Sequence, residues 1–298
     1  MKVTLLGATG TVGRATLSAL RLGGHEVRTP GRADYADLGP AMTGMEAVIS
    51  CIASRSGVPR DAWAVDHGLN AAALRAAQAA GVTRFVMLSA ICVQKPRLAF
   101  QYAKLAFEAE LAGSGLTYSI VRPTAYFKSL SGQVERVRAG KPFLTFGNGT
   151  LTACKPISDA DLARYLVECL SVPGRENAVL PIGGPGPALT PLDQARLMGD
   201  ALGVEVRTRS VTPRLLSGIA AALELPRKLP GVWAPKLMEK AALARIGHYY
   251  ATESMLVWNG TAYDADATPE YGTDTLADHY RALAAREVVD DRGAHAVF

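Results

Sequence analysis

Glycines 7, 10 and 13 stand in the run Gly7-Ala8-Thr9-Gly10-Thr11-Val12-Gly13, directly after the apolar stretch Val3 to Leu6 and directly before a helical pattern. In a strand-to-helix turn this spacing suits a pyrophosphate. Gly7 permits the tight turn, Gly10 lets phosphate approach the backbone at the positive end of the helix, and Gly13 lets the helix pack closely on the strand. The second strand then ends at Arg28-Thr29-Pro30-Gly31-Arg32, where a dinucleotide-binding fold meets the adenosine ribose. An acid at that point pairs with the two free ribose hydroxyls of NAD, whereas an arginine neutralises the 2′-phosphate of NADP. Arg32 is placed for the phosphate, Arg28 lies within the strand, and the competing acid Asp34 falls two residues late. NADPH is the cofactor these residues predict.

A second constellation lies further on. The fourth strand ends at Leu88-Ser89-Ala90, and Lys104 follows on the next helix. The arrangement resembles that of short-chain dehydrogenases, which have a serine at this strand end and Tyr-x-x-x-Lys on this helix. There the lysine binds the nicotinamide ribose and the tyrosine exchanges a proton with an alcohol oxygen. Here the tyrosine position is Phe100. Tyr102 cannot replace it, because two residues of helix turn a side chain by about 200°. A carbonyl reductase must handle an alkoxide, and a reductase of a carbon–carbon double bond has none. Phe100 with Lys104 therefore argues for reduction of C=C, or for cofactor binding without catalysis.

The elements that must position these residues follow from periodicity. Strands are predicted at 2–6, 25–29, 46–52, 84–88 and 117–121, with helices at 10–22, 35–42, 61–80 and 98–113 between them. The 61–80 helix has Val65, Leu69, Ala72, Ala76 and Ala80 at helical spacing. Alternation of this kind means parallel strands joined by crossover helices. Beyond Pro123 the pattern loosens. Strands at 143–146, 151–155, 178–182 and 205–211 mix with helices at 158–170, 190–202, 213–223, 235–247 and 274–286, and Pro and Gly concentrate at 181–191 and 226–235. The fold predicted is α/β: a Rossmann-type doubly wound parallel sheet at 1–123 that binds NADP. A smaller mixed α/β substrate-binding portion at 124–298 is expected to interleave with it. Residues 259–275 read as an acidic loop, with Asp264 and Asp266 solvated rather than ligating a metal.

Composition removes several classes. The 298 residues carry a net charge of +5, with Lys and Arg spread rather than clustered. That implies mild attraction for anionic ligands or an anionic membrane surface, and no nucleic-acid partner. Cysteines 51, 92, 154 and 169 form no C-x-x-C, and the five histidines have no metal-ligand spacing, so no protein-held metal or iron–sulfur site is expected. No apolar run reaches the ~18 residues of a membrane span, and the chain starts directly in a strand. A cytoplasmic location, with at most weak contact at a membrane surface, is the expectation.

Longer blocks of text carry a more specific resemblance. They include Ser89-Ala90-Ile91-Cys92-Val93-Gln94-Lys95-Pro96, Ala103-Lys104-Leu105 with Phe107 to Leu111, and Ser114 to Ala125 followed by Phe127-Lys128-Ser129-Leu130. Further on come Ala153 to Ser158, Leu180 to Gly186, Ala251 to Leu256, and Ala296-Val297-Phe298. Together they resemble the NADPH-dependent, ferredoxin-independent divinyl chlorophyllide 8-vinyl reductases, which are atypical, NmrA-like short-chain dehydrogenases. The resemblance spans nearly the whole chain. It departs at Tyr102, where a basic residue is expected.

The resemblance implies a magnesium tetrapyrrole substrate, divinyl chlorophyllide or protochlorophyllide, whose C8 vinyl becomes ethyl in chlorophyll or bacteriochlorophyll synthesis. The expected cofactor-binding set is Gly7, Thr9, Gly10, Thr11, Val12, Gly13, Arg32, Ala53, Ser89, Lys104 and Pro123. Lys104 and Tyr126 are the catalytic candidates, Tyr126 as proton donor in the turn after the fifth strand. Cys92, Lys95, Phe127, Lys128 and Lys155 are the substrate candidates, the lysines for a propionate carboxylate and Phe127 for the flat ring. Two other readings stay open at this point: a redox-sensing NADP-binding regulator of the NmrA-like kind, and an isoflavone-reductase-like C=C reductase with a small aromatic pocket.

Overall fold

The computed structural model describes residues 1–225 and 235–287. The carboxyl-terminal Ala296-Val297-Phe298 and nearly all of the Pro- and Gly-rich stretch at 226–235 lie outside the described residues. In chain order the first elements are β1 (Lys2–Leu6), α1 (Thr11–Leu22), β2 (Glu26–Arg28), α2 (Gly39–Met42), β3 (Ala47–Ser50), α3 (Pro59–Ala62), α4 (Asn70–Ala79), β4 (Arg84–Leu88), α5 (Ala99–Ala112) and β5 (Thr117–Pro123). Then come α6 (Phe127–Leu130), α7 (Val134–Arg138), β6 (Phe143–Phe146), α8 (Asp159–Glu168), β7 (Ala178–Ile182), α9 (Pro191–Leu202) and β8 (Thr208–Val211). The last are α10 (Arg214–Glu224), α11 (Pro235–Thr252), β9 (Val257–Trp258), β10 (Tyr263–Asp264) and α12 (Leu276–Ala284).

Contacts divide the chain into two units. The first comprises Met1–Ser54, Pro59–Pro123 and Ser158–Ile182. Its six strands form one parallel sheet in the order β2-β1-β3-β4-β5-β7. The central strands are apolar along their length, as a parallel sheet covered on both faces requires. One cover is α4 and α5, whose Ala71, Leu74, Ala77, Phe107 and Leu111 pack with Leu6, Val48, Phe85, Met87 and Ile120 of the strands. Elsewhere α1 packs against α8. The chain places β2 on one side of β1 and then crosses to β3 on the other. That reversal is the switch point at whose carboxyl ends doubly wound sheets bind ligands.

Three features depart from the sequence expectation here. The strand at 178–182 forms, but it is the sixth strand of this sheet, pairing Ser119 with Ala178 through Pro123 with Ile182. The return segment 158–182 thus falls in the first unit, beyond the expected division at 123. The helix expected at 61–80 is divided: between α3 and α4 lies a π-helical run, Trp63–Leu69. The helix expected at 35–42 is a 3-10 turn at Arg32–Ala36 followed by the single turn α2.

The second unit comprises Arg55–Val58, Thr124–Ile157 and the chain from Gly183 onward. Its core joins Phe127, Val134, Val137 and Phe143 to Ala195, Met198, Leu276, Tyr280 and Leu283. Two small ladders belong to it, β6 with β8 in parallel and β9 with β10 antiparallel. The expected strand at 151–155 is reduced to isolated bridges from Cys154 to Leu189 and Met255. The expected loop at 259–275 contains β10. In this unit α10 packs on α11.

Candidate active site

The glycine loop has the geometry its spacing predicts. Gly7 has φ +75°, and a Cβ there would lie 2.7 Å from the Cys51 carbonyl oxygen. Gly13 is buried, and a Cβ on it would land on the Gly7 carbonyl. Gly10 differs: it is exposed, caps α1 in an extended conformation, and a Cβ would meet only Gly7 O at 3.4 Å. The protein itself therefore leaves space at Gly10, beside a twelve-residue helix whose first-turn N–H groups have no intrahelical carbonyl. A pyrophosphate fits that cradle, with the helix dipole favouring its charge. Thr9 is exposed, Thr11 half-buried and Val12 buried in the same turn.

The 3-10 turn after β2 carries Arg32, which is exposed. Its neighbours are occupied. Arg28 Nη1 donates to the carbonyls of Pro40, Ala41 and Thr43, closing the end of α2. The Asp34 carboxylate accepts the Gly31 N–H at 2.7 Å, so the competing acid caps its own turn. Tyr35 adds a contact that sequence reasoning missed: its hydroxyl accepts the Gly7 N–H at 3.1 Å, tying the Arg32 turn to the glycine loop. Burial holds the Tyr35 phenol above its ordinary pKa, against the opposing pull of that N–H.

Lys104 is 5% exposed and forms an ion pair with Asp66 at 3.1 Å. Phe100, one turn earlier on α5, is half-buried, while Tyr102 is exposed and donates to the Pro96 carbonyl at 3.0 Å. Ser89, at the end of β4, is also buried, and its hydroxyl donates to the Glu108 carboxylate. Arg122 binds both oxygens of Glu108. Asp66, Glu108 and Arg122 are the charged groups the sequence did not single out. Only Glu108 had a local signal, following Lys104 by four residues on α5, and that spacing does not pair the two: Lys104 meets Asp66. Burial pushes the Cys51 thiol up to about 12, offset only in part by the Thr16 hydroxyl and the Lys104 charge. Ala53 is exposed in the loop after β3, and Pro123 is buried at the end of β5.

The substrate candidates are placed as follows. In the first unit Cys92 is buried and Lys95 half-buried, both around the 3-10 turn Ile91–Gln94. In the second unit Tyr126 caps α6 and bridges to Ile157, and Lys128 is half-buried on α6. Phe127 was expected to face a flat substrate. It is instead 5% exposed in the core, its ring 5.4 Å from that of His279. Lys155 was expected to meet a substrate carboxylate. It is buried and paired internally with Glu270 at 2.6 Å, a contact that holds the Glu270 carboxyl below its usual range. Both residues meet internal partners because α6 and the 153–156 strand-like segment pack inward. Among the described residues no cluster of His, Cys, Asp and Glu could hold a metal ion, and no helix is long and apolar enough to cross a membrane.

A parallel sheet with the β1/β3 reversal, a glycine cradle and a lysine on α5 defines a Rossmann-type nucleotide-binding protein of the short-chain dehydrogenase and epimerase architecture. A family model described as NAD(P)H-binding matches residues 31–173. The NADPH-dependent quinone oxidoreductase QOR2 of Escherichia coli, complexed with NADPH, shares this fold with TM-score 0.66 and 20% identity, over 94% of this chain and 99% of that one. Divinyl chlorophyllide a 8-vinyl-reductase of Zea mays is 40% identical over 94% of this chain and 78% of its own length. The enzyme of the same name from Oryza sativa subsp. indica is 47% identical over 84% of this chain. The chain belongs to the divinyl chlorophyllide a 8-vinyl-reductase family. It spans about three fifths of the length of the rice, Cucumis sativus and Arabidopsis thaliana relatives.

Proposed function

We propose that the chain reduces the C8 vinyl group of divinyl chlorophyllide or protochlorophyllide to ethyl, using NADPH. The observation that carries this reading is the pair on α5: a buried, ion-paired Lys104 with phenylalanine, not tyrosine, one turn before it. A bound nicotinamide would supply the hydride. Gly10 and the first turn of α1 would hold its pyrophosphate, Arg32 would meet the 2′-phosphate, and Lys104 would donate to the nicotinamide ribose. Transfer of hydride to the terminal vinyl carbon spreads negative charge into the conjugated ring, so no alkoxide forms and no phenol is needed at position 100. Protonation of the inner carbon completes the reduction, with Tyr126 as the proton donor. The substrate brings its own magnesium. Lys95 and Lys128 are the candidates for its propionate, and the +5 net charge favours that anion and an anionic membrane surface.

Incubation of the protein with NADPH and divinyl chlorophyllide should move the Soret band to shorter wavelength as conjugation is lost. An unchanged pigment spectrum, with NADPH shown by titration to be bound, would leave a cofactor-binding protein without this activity.

A further inference from the structure

Asp66 has no role in the function derived above, yet its carboxylate is held by three polar contacts. It sits in the π-helical run Trp63–Leu69, 1% exposed. A π-turn inserts one residue into the helical register, widens the backbone, and occurs often at functional sites. The widened turn leaves carbonyls to satisfy, and Asn70 does so: its amide donates to the Asp66 carbonyl at 3.0 Å, while its own oxygen accepts the Ser50 hydroxyl at 2.5 Å. The Asp66 side chain is then shared. Oδ2 accepts the Ser54 hydroxyl at 2.5 Å, Oδ1 accepts the Ser54 N–H at 3.3 Å, and Oδ1 lies 3.1 Å from Lys104 Nζ.

Ser54 lies in the loop that leaves β3 at the switch point, the same loop whose Cys51 carbonyl abuts Gly7. We infer that Asp66 is a positioning residue that clamps this loop and the Lys104 ammonium in one arrangement, so that the wall of the cofactor crevice and the lysine that grips the nicotinamide ribose are set together. This rests on the reading that Lys104 contacts the cofactor. Three features fit a clamp better than a mere core ion pair. One carboxylate contact leaves the ammonium two further donors for a ligand. The acid spans two elements far apart in sequence. The helix distorts to bring it there, and a second hydrogen-bonded pair, Ser50 with Asn70, supports the distortion.

The test is a double-mutant cycle read by NADPH fluorescence titration and thermal unfolding. Asp66→Asn should weaken NADPH about tenfold or more. The same change in a Lys104→Met background should weaken it no further, because Asp66 acts through the lysine. Should Asp66→Asn fail to fold, Ser54→Ala keeps the buried ion pair and removes only the hydroxyl that orients the Asp66 carboxylate toward the lysine. It should cost NADPH affinity a few fold in the parent chain and nothing in the Lys104→Met background. Strictly additive losses, or a folded Asp66→Asn or Ser54→Ala chain with parental NADPH affinity, overturn the clamp while leaving the role of Lys104 intact. A Lys104→Met protein that binds NADPH like the parent overturns both.

Discussion

Arg32 stands exposed on a turn whose other charged groups are already engaged, Arg28 with three carbonyls and Asp34 with the Gly31 N–H. In the proposed function, discrimination between NADPH and NADH therefore falls to one guanidinium. A charge-assisted phosphate contact is worth about 1.5–3 kcal/mol, so Arg32→Ala should reduce the preference for NADPH roughly tenfold or more. Parallel titrations with the two cofactors check this, and equal affinities in the parent protein refute it. Gly10 allows a cleaner separation of site from fold. Its extended φ suits any residue and its surroundings are open, so Gly10→Val should unfold at the parental temperature yet fail to bind NADPH. Unchanged affinity in that folded variant would remove the assigned cradle. At position 100 a tyrosine should gain nothing, since a half-buried hydroxyl without a partner costs about 1–3 kcal/mol. Tyr126→Phe should slow single turnover by ~10²-fold if that phenol is the acid. A fully active Tyr126→Phe would assign the proton to another donor. The turn geometry of the glycines and the exposed place of Arg32 were legible in sequence because local spacing sets them. Asp66, Glu108 and Tyr35 were not, because each acquires its partner only through tertiary packing.

One tight glycine and one open glycine separate packing from propensity. Gly13 lets α1 touch the loop that follows β1, so Gly13→Ala should cost about 1–3 kcal/mol through overpacking, read as a lower urea midpoint with unchanged slope. Gly218, in the exposed middle of α10, has nothing within 4 Å, and Gly218→Ala should stabilise by about 0.5–1 kcal/mol. Equal effects at the two positions would contradict the packing account. Element by element, alternation identified the first five strands and their crossover helices, because buried parallel strands are continuous apolar runs. It could not reveal that β7 pairs with β5, since nothing local encodes a partner more than fifty residues away. Nor could it reveal the π-turn: Val65 and Leu69 keep helical spacing on either side of the added residue, so the register shift leaves the apolar pattern intact.

Across the molecule the cysteines give a single expectation. Burial pushes Cys51 and Cys154 up to about 12 and Cys169 up to about 11, and Cys92 is buried as well. The thiolate is the reactive form and predominates only above the pKa. Below about pH 10 these three thiols stay protonated, so iodoacetamide at pH 8 should leave them unmodified in the native chain and label them on unfolding. Rapid native labelling, followed by mass spectrometry, would count against this packing.

The return of 158–182 to the first sheet means that the nucleotide-binding unit is discontinuous in the gene. A fragment cut at Pro123 would leave β5 as a raw edge with a row of unpaired backbone groups, and α1 without its α8 neighbour. Such an edge invites self-association. Exchange of this unit between relatives thus requires two segments to move together. The second unit, by contrast, can diverge as an insertion between β5 and α8 and as a tail after β7, without disturbing a single strand pairing of that sheet.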